Sequence, residues 1–396
     1  MKIAFIGQKG VPATQGGVEK HVHELAVRLS KAGHDVVVYA RPGYVGKPAG
    51  SYVLVNGKLQ KLGKGLRVIV LPSLPTKYFD TISHTLVSIL HAVWSDAEIL
   101  HFQGDGPSLL IWLPKLLWPK IKIVATFHSA DRFHQKWGPL SRLFLKLGER
   151  LLCTVADEVI SVGKNLQQYV KKIYGRESAL IPNGVAVQRV SKRDQQKILR
   201  RFGLSEGQYI FMVSRLVQHK GAHHLIRAFQ KLGAADYDLV IAGAAAFTDA
   251  YVKSLRVLAK GNRRIHFVGL QTGQKLTALY RGARVTVQPS ESEGLSLVVL
   301  EAIAASPRVL VSDIPENIEI VKNRVPTFRS ADVADLTRQL RKLIGVNAPG
   351  LSDEVRRELL APYQWDNITK ETAAVYRRVI KTRKVSATVM PRPAIS

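Results

Sequence analysis

The chain predicts an α/β protein of two doubly wound parallel-sheet domains, and three observations carry that reading. Short apolar runs of strand length alternate with stretches of helical spacing along nearly the whole sequence, the pattern of parallel βαβ units. The alternation pauses near Ser178–Val187 and then restarts. At 396 residues the chain is long enough for two ordinary domains with full cores.

Lys2 to Ile6 reads as a buried first strand, followed by a glycine-rich loop from Gly7 to Gly17. Val18 to Ala32 sets Val22, Leu25, Ala26 and Leu29 at helical spacing and stops at Gly33, as a helix C-terminus does. Asp35 to Ala40, Leu66 to Leu71, Ile99 to Phe102, Ile121 to Phe127 and Glu158 to Val162 supply the remaining strands of the first domain. Ile181-Pro182-Asn183-Gly184-Val185 reads as a turn leaving a strand and marks the boundary. Strands are then expected at Tyr209 to Val213, Asp238 to Ala242, Ile265 to Val268, Val285 to Gln288 and Arg308 to Val311, with helices between them. This gives domains at 1–180 and 181–366 and a last helix at 367–382. Residues 384–396 carry two prolines and no periodicity, so a disordered tail is expected.

Composition narrows the functional classes. A content of 46% hydrophobic and 22% charged residues describes a soluble globular protein. Cys153 is the one cysteine, which excludes an internal disulfide and suits a reducing cytoplasm. Within the apolar run Leu151 to Val155 it reads as a core thiol. The chain opens directly on a strand pattern, so no leader is expected, and no apolar run reaches membrane-spanning length. The formal charge of +28 is spread over both domains, 24 Lys+Arg against 12 Asp+Glu up to residue 180 and 34 against 18 beyond it. Such an excess implies an anionic partner: membrane phospholipid, nucleic acid or anionic glycan.

The chemistry is concentrated in a few segments. Glu293 sits at a glycine-containing turn, and Glu301 within what reads as the following helix, Leu297 to Ala305. Eight helical steps would span about 12 Å, roughly the distance from the sugar to the ribose of a nucleotide-sugar. The backbone of Gly294, Leu295, Ser296 and Leu297 would offer free N–H groups at a helix N-terminus, a site suited to anions. The plain alternative is an acidic turn followed by a salt-bridged helix glutamate. Upstream, Arg215 and Lys220 lie in the loop after the strand Tyr209 to Val213, where a guanidinium fork and a point charge could meet a phosphate. His128 follows the carboxyl end of a buried strand, where open parallel sheets bind ligands. A lone histidine there is more often structural.

Taken together, Arg215, Lys220 and the Glu293/Glu301 pair resemble the retaining glycosyltransferases of family 4, the glycogen-synthase and sucrose-synthase-like group. The resemblance implies the GT-B fold, two Rossmann-like doubly wound parallel-sheet domains facing a central cleft, an acceptor domain first and a donor domain second. It implies that the last helix returns to the first domain. It assigns Glu301 to the ribose, Arg215 and Lys220 to the diphosphate, Glu293 to the sugar hydroxyls, Gly16 and Gly17 to the diphosphate, and His128 to the far side of the sugar. No protein nucleophile is implied, and Lys220→Ala is expected to cut turnover with the fold intact. The chain departs from the pattern at Ser129, Ser296 and Ser306, where glycine is usual, and at Val298, where proline is common. Ser296 can replace glycine only if its backbone angles permit a side chain. Asp131 and Lys136-Trp137-Gly138 are similar to one bacterial subgroup acting in surface-polysaccharide assembly. Ser312-Asp313-Ile314-Pro315-Glu316-Asn317 also looks like the family.

No cofactor and no metal are expected. The single Asp-x-Asp pair, Asp236 and Asp238, precedes a strand and so is expected at the amino end. No Cys/His cluster has zinc spacing. Pro107 to Pro119 is apolar with two tryptophans and neighbouring lysines, and reads either as a two-sided core helix or as a segment at the headgroup level of a bilayer. Arg142, Lys146 and Arg150 recur nearby at four-residue spacing. The expected activity is transfer of a sugar from a nucleoside-diphosphate donor to a hydroxyl of a glycan or lipid-linked acceptor, with retention. The expected place is the cytoplasm, peripheral on the inner face of the plasma membrane. The alternatives are a sugar-nucleotide epimerase on the same fold and a basic nucleic-acid-binding protein. The latter would interleave aromatics with cations on one face, whereas here the cations are spread widely, so nucleic acid is not the expected partner.

Overall fold

The computed structural model of the chain describes residues 1–13, 16–45, 48–49, 52–55, 58–61, 64–76, 79–130, 132, 138–245, 248–345 and 348–386. Asp131, Lys136 and Trp137 lie outside the described residues. Two compact units emerge: one takes the chain up to Asn183 and again from Trp365, and the other is Gly184–Gln364.

The first unit runs β1 (Lys2–Ile6), α1 (Gly17–Lys31), β2 (Asp35–Ala40), β3 (Pro48–Ala49), β4 (Tyr52–Val55), β5 (Lys58–Lys61), β6 (Leu66–Val70), α2 (Phe79–Trp94) and β7 (Ile99–Gln103). After a 3-10 turn at Pro107–Leu110 come α3 (Leu113–Leu117), β8 (Lys122–Phe127), α4 (Pro139–Val155), β9 (Glu158–Ser161), α5 (Lys164–Tyr174) and β10 (Ala179–Leu180). Seven strands form one sheet in the order β10-β9-β8-β7-β1-β2-β6, all pairs parallel. Ile3 to Ile6 and Val36 to Ala40 are buried throughout, because helices cover both faces of such a sheet. The helical stripe Val22, Leu25, Ala26 and Leu29 is fully buried.

The second unit runs α6 (Lys192–Arg201), β11 (Tyr209–Val213), α7 (Ala222–Leu232), β12 (Asp238–Ala242), α8 (Asp249–Leu258), β13 (Ile265–Gly269), α9 (Gly273–Gly282) and β14 (Val285–Gln288). It continues with α10 (Leu297–Ala305), β15 (Val309–Ser312), α11 (Pro315–Val321), β16 (Thr327–Phe328), α12 (Val333–Ile344) and α13 (Asp353–Leu360). Its parallel sheet has the order β13-β12-β11-β14-β15-β16. Ile210, Met212, Val285 and Val287 pack there with Leu225 and Ile226 of α7 and Leu336 and Leu340 of α12. In each sheet the strand order reverses beside the unit's first strand, between β1 and β7 and between β11 and β14. Ligands bind at such reversals, outside the carboxyl ends of the strands.

Three elements differ from expectation. The closing helix, α14, runs Trp365–Ser386, so residues 384–386 are helical rather than part of a tail. Tyr376 anchors it, its hydroxyl 2.7 Å from His101 Nδ1. Pro107 to Pro119 is not a core helix: Pro114 sits at the start of a five-residue helix, and Trp112, Leu116, Leu117 and Trp118 are 43 to 68% exposed. The antiparallel sheet β3-β4-β5 was not anticipated.

Candidate active site

In the second unit the loops after β11 and β14 meet at the strand-order reversal, since the two strands pair directly, Ile210 against Val285. The first loop ends in one 3-10 turn, Gln218–Lys220, and Gly221 in the left-handed region at φ 72°. A Cβ on Gly221 would run into the Pro289 carbonyl, so a side chain here would hold the loops apart. This close approach delivers Lys220 Nζ to 2.5 Å from Glu293 Oε2, with the two side chains only 12% and 7% exposed.

Glu293 is held on its other oxygen as well. Ser290 Oγ donates to Oε1 at 2.7 Å and Gln288 Nε2 at 3.2 Å. Ser290 is fixed in turn: Ser312 Oγ donates to its carbonyl at 2.5 Å, and Asn317 Nδ2 donates to Ser312 Oγ at 3.0 Å. Burial alone would raise the Glu293 pKa, but the Lys220 ammonium and the Ser290 and Gln288 donors outweigh it and hold the carboxyl below its usual value. Burial is also the main influence on Lys220, with Arg215 pushing the same way, so its pKa falls despite Glu293. Among the described residues the ammonium donates to Glu293 alone, which leaves two of its three donors for a ligand. Arg215 is exposed. Glu316, at the start of α11, is raised by burial and then by Glu293 and Glu319.

α10 begins four residues after Glu293. Ser296 caps it at φ −79°, its Oγ accepting from Val299 N–H at 3.4 Å. Among the described residues no protein acceptor takes the N–H groups of Gly294, Leu295, Ser296 or Leu297, and the helix dipole adds positive potential there. Glu301 lies on α10, 9% exposed, and accepts from the Tyr280 hydroxyl at 3.1 Å. Burial, reinforced by Glu301, pushes the Tyr280 phenol well above its ordinary pKa. Ser129, Ser296 and Ser306 all avoid positive φ, so none of these positions requires glycine.

The first unit places Gly16 as the N-cap of α1 at φ 95°, with the Glu19 carboxylate where a side chain on Gly16 would go, and Gly17 as the first helical residue. His128 follows β8, its Nε2 2.9 Å from Gln103 Oε1 and its ring edge-on to His21 at 5.0 Å. His101 Nε2 contacts Thr126 Oγ1 at 2.7 Å. Burial, then the charge of neighbouring histidines, holds His128 and His101 well below the usual imidazole range, and burial takes His21 to about 4. Cys153 is fully buried, its thiol pushed up to about 12.

Arg215, Lys220, Glu293 and the α10 start therefore share one end of one sheet. Sequence reading did not single out Gln288 and Ser290; their polarity at the end of an apolar strand was the available signal. Asp238 starts β12 and pairs with Arg264 at 3.6 Å and His266 at 3.5 Å.

Residues 15–189 match the family model described as Glycosyltransferase Family 4, and residues 194–350 that described as Glycosyl transferases group 1. A glycogen synthase of Mycobacterium tuberculosis is 28% identical, covering 95% of this chain and 94% of its own. Sucrose-phosphate synthase from Thermosynechococcus elongatus superposes with a TM-score of 0.78 at 20% identity, over 96% of this chain and 99% of that one. Anabaena HepE in complex with UDP-glucose gives 0.76 at 16% identity, over 96% and 100%. The last two likenesses carry the fold, Rossmann-like GT-B.

Proposed function

Because the chain belongs to the family 4 glycosyltransferases of GT-B fold, we propose that it moves a sugar from a nucleoside-diphosphate donor to a hydroxyl acceptor with retention of configuration. The observation that carries this reading is the Lys220–Glu293 pair beside the unpartnered N–H groups that open α10. Lys220, Arg215 and those N–H groups suit the diphosphate, and they neutralise charge as it develops on the leaving group. Glu293 suits the sugar hydroxyls, Glu301 the ribose, and the backbone of Gly294 to Leu297 the donor generally. In the first unit the resemblance assigns Gly16 and Gly17 to phosphate and His128 to the sugar.

Glu293 is engaged by three donors, which argues against its use as a nucleophile. In the step proposed, the acceptor oxygen forms the new bond to the anomeric carbon as the bond to the β-phosphate oxygen breaks. That departing oxygen takes the acceptor's proton.

For the acceptor, α4 supports a lipid-linked glycan at an anionic membrane, with the protein peripheral on its cytoplasmic face. Leu140, Leu143, Phe144 and Leu147 form an exposed stripe at helical spacing, with Arg142, Lys146 and Arg150 exposed beside it. Among the described residues no helix is long and apolar enough to cross a membrane.

Thermal stabilisation by UDP, GDP, ADP and their sugars tests the donor, since a bound ligand raises the melting point by mass action. A shift with one nucleoside diphosphate and its sugar is expected. No shift with any of them would overturn the donor reading. The anomer formed, read by NMR, tests retention, and conversion of the donor with no acceptor present would indicate epimerisation instead. Flotation with vesicles containing anionic lipid tests α4, and Leu143→Ser with Phe144→Ser should abolish it.

A further inference from the structure

We propose that His223, His224 and Glu291 form a site for a divalent transition metal of the zinc class. The two histidines open α7, and Glu291 lies in the loop after β14, so the fold joins what the sequence separates. His224 Nε2 stands 3.0 Å from Glu291 Oε1, His223 Nε2 stands 3.9 Å from the same oxygen, and one ligand atom from each residue lies within 4.8 Å of the others. An ion bound at about 2.0–2.1 Å to each in tetrahedral geometry would set its ligand atoms about 3.3 Å apart. The two histidine–glutamate separations bracket that value, and the third pair lies within 4.8 Å. Two imidazoles and one carboxylate leave the fourth position to water.

The surroundings favour the site. His223 Nδ1 lies 2.8 Å from the Tyr251 hydroxyl, an outer contact of the kind that fixes a ring and directs its other nitrogen to metal. The Glu291 N–H donates to the His219 carbonyl at 2.8 Å, tying the carboxylate's segment to the 3-10 turn just before α7. Imidazole ligands select against magnesium, which prefers an all-oxygen shell. An ion here would clamp the loop that carries Glu293, two residues on, to the start of α7.

Chelator-stripped full-length protein titrated with Zn2+ against a chromophoric competitor tests the site. Other histidines bind weakly, so the difference between proteins is the readout. Wild type should take one tight equivalent, with affinity at least ~10-fold lower in His223→Gln and in Glu291→Gln. The Co2+ form should show tetrahedral absorption bands that both variants lack. Variants that match wild type in stoichiometry and affinity, or a wild type that takes no Zn2+ from the competitor, would overturn the site and leave Glu291 as a partner of His224 alone. Displacement by millimolar Mg2+ would overturn the imidazole ligation. Metal affinity is read without sugar transfer, so failure of the donor reading leaves this test intact.

Discussion

The two sheets reverse strand order at matching places, yet the side chains gathered there are electrostatic opposites. Near the first reversal stand His21, His101 and His128, held neutral by burial, with Trp365 and Tyr376 of α14 packed among them. At the second stand Lys220 and Glu293 as an ion pair, with Arg215 and Glu316 close enough to shift it. Topology selects the location, and side-chain chemistry decides what it does. A neutral polar cluster can bind a sugar but adds little against a diphosphate, whereas the charged one suits phosphate.

Lys220→Ala breaks the contrast most severely. Turnover should fall ~10²–10³-fold, as when a donor to developing transition-state charge is lost. It should also leave the Glu293 carboxylate buried without its cation, costing about 3–5 kcal/mol of stability. This revises the expectation of an intact fold. Lys220→Met combined with Glu293→Leu should recover the stability but not the activity, read by urea unfolding and steady-state rates. Wild-type turnover in purified Lys220→Ala would remove the diphosphate assignment.

Acid sharpens the contrast next. The unfolded histidines protonate near their ordinary 6.5 while folded His21 waits until about 4. Stability from the neutral cluster is therefore complete above about 6.5 and lost as pH falls toward 4, by about 3 kcal/mol for His21, with His101 and His128 adding in the same direction. The Glu293 carboxyl is depressed, so its contribution persists above its ordinary 4.5 and fades only as pH drops through its lower folded value. Urea unfolding between pH 7 and 4.5 should show a slope that flattens in His21→Leu and persists in Glu293→Gln.

Smaller effects follow within the second cluster. Ser290→Ala removes one donor from Glu293 and should cost about 1–2 kcal/mol of stability, with turnover down ~10-fold. Ser296→Gly exchanges a side-chain cap for the residue usual in the family and should change the free energy of unfolding by only a few tenths of a kcal/mol. A large gain in activity from that change would mean the serine backbone is strained there, contrary to its φ.

Much of this was legible in sequence because parallel strands buried on both faces read as unbroken apolar runs, and every long strand appears where such a run stands. Lys220 and Glu293 were each legible as candidates, but not their contact, which joins residues 73 apart. The Ser312–Asn317 segment could be noticed but its bracing of Ser290 could not, since that depends on β15 lying beside β14. His223 and His224 escaped because a metal pattern was sought in local spacing, and Glu291 arrives from 67 residues away. Composition left Pro107 to Pro119 open between a core helix and a surface segment because it carries no information on which side of a segment meets water.

Gly221 has a consequence for how this centre could be altered. The gap between ammonium and carboxylate is gauged by a methyl group that is missing. Gly221→Ala would keep every reactive atom and change only their spacing, which separates geometry from chemistry in a single substitution. If the rate collapses while both charged groups survive, then distance, rather than mere possession of those groups, is what this lineage must preserve.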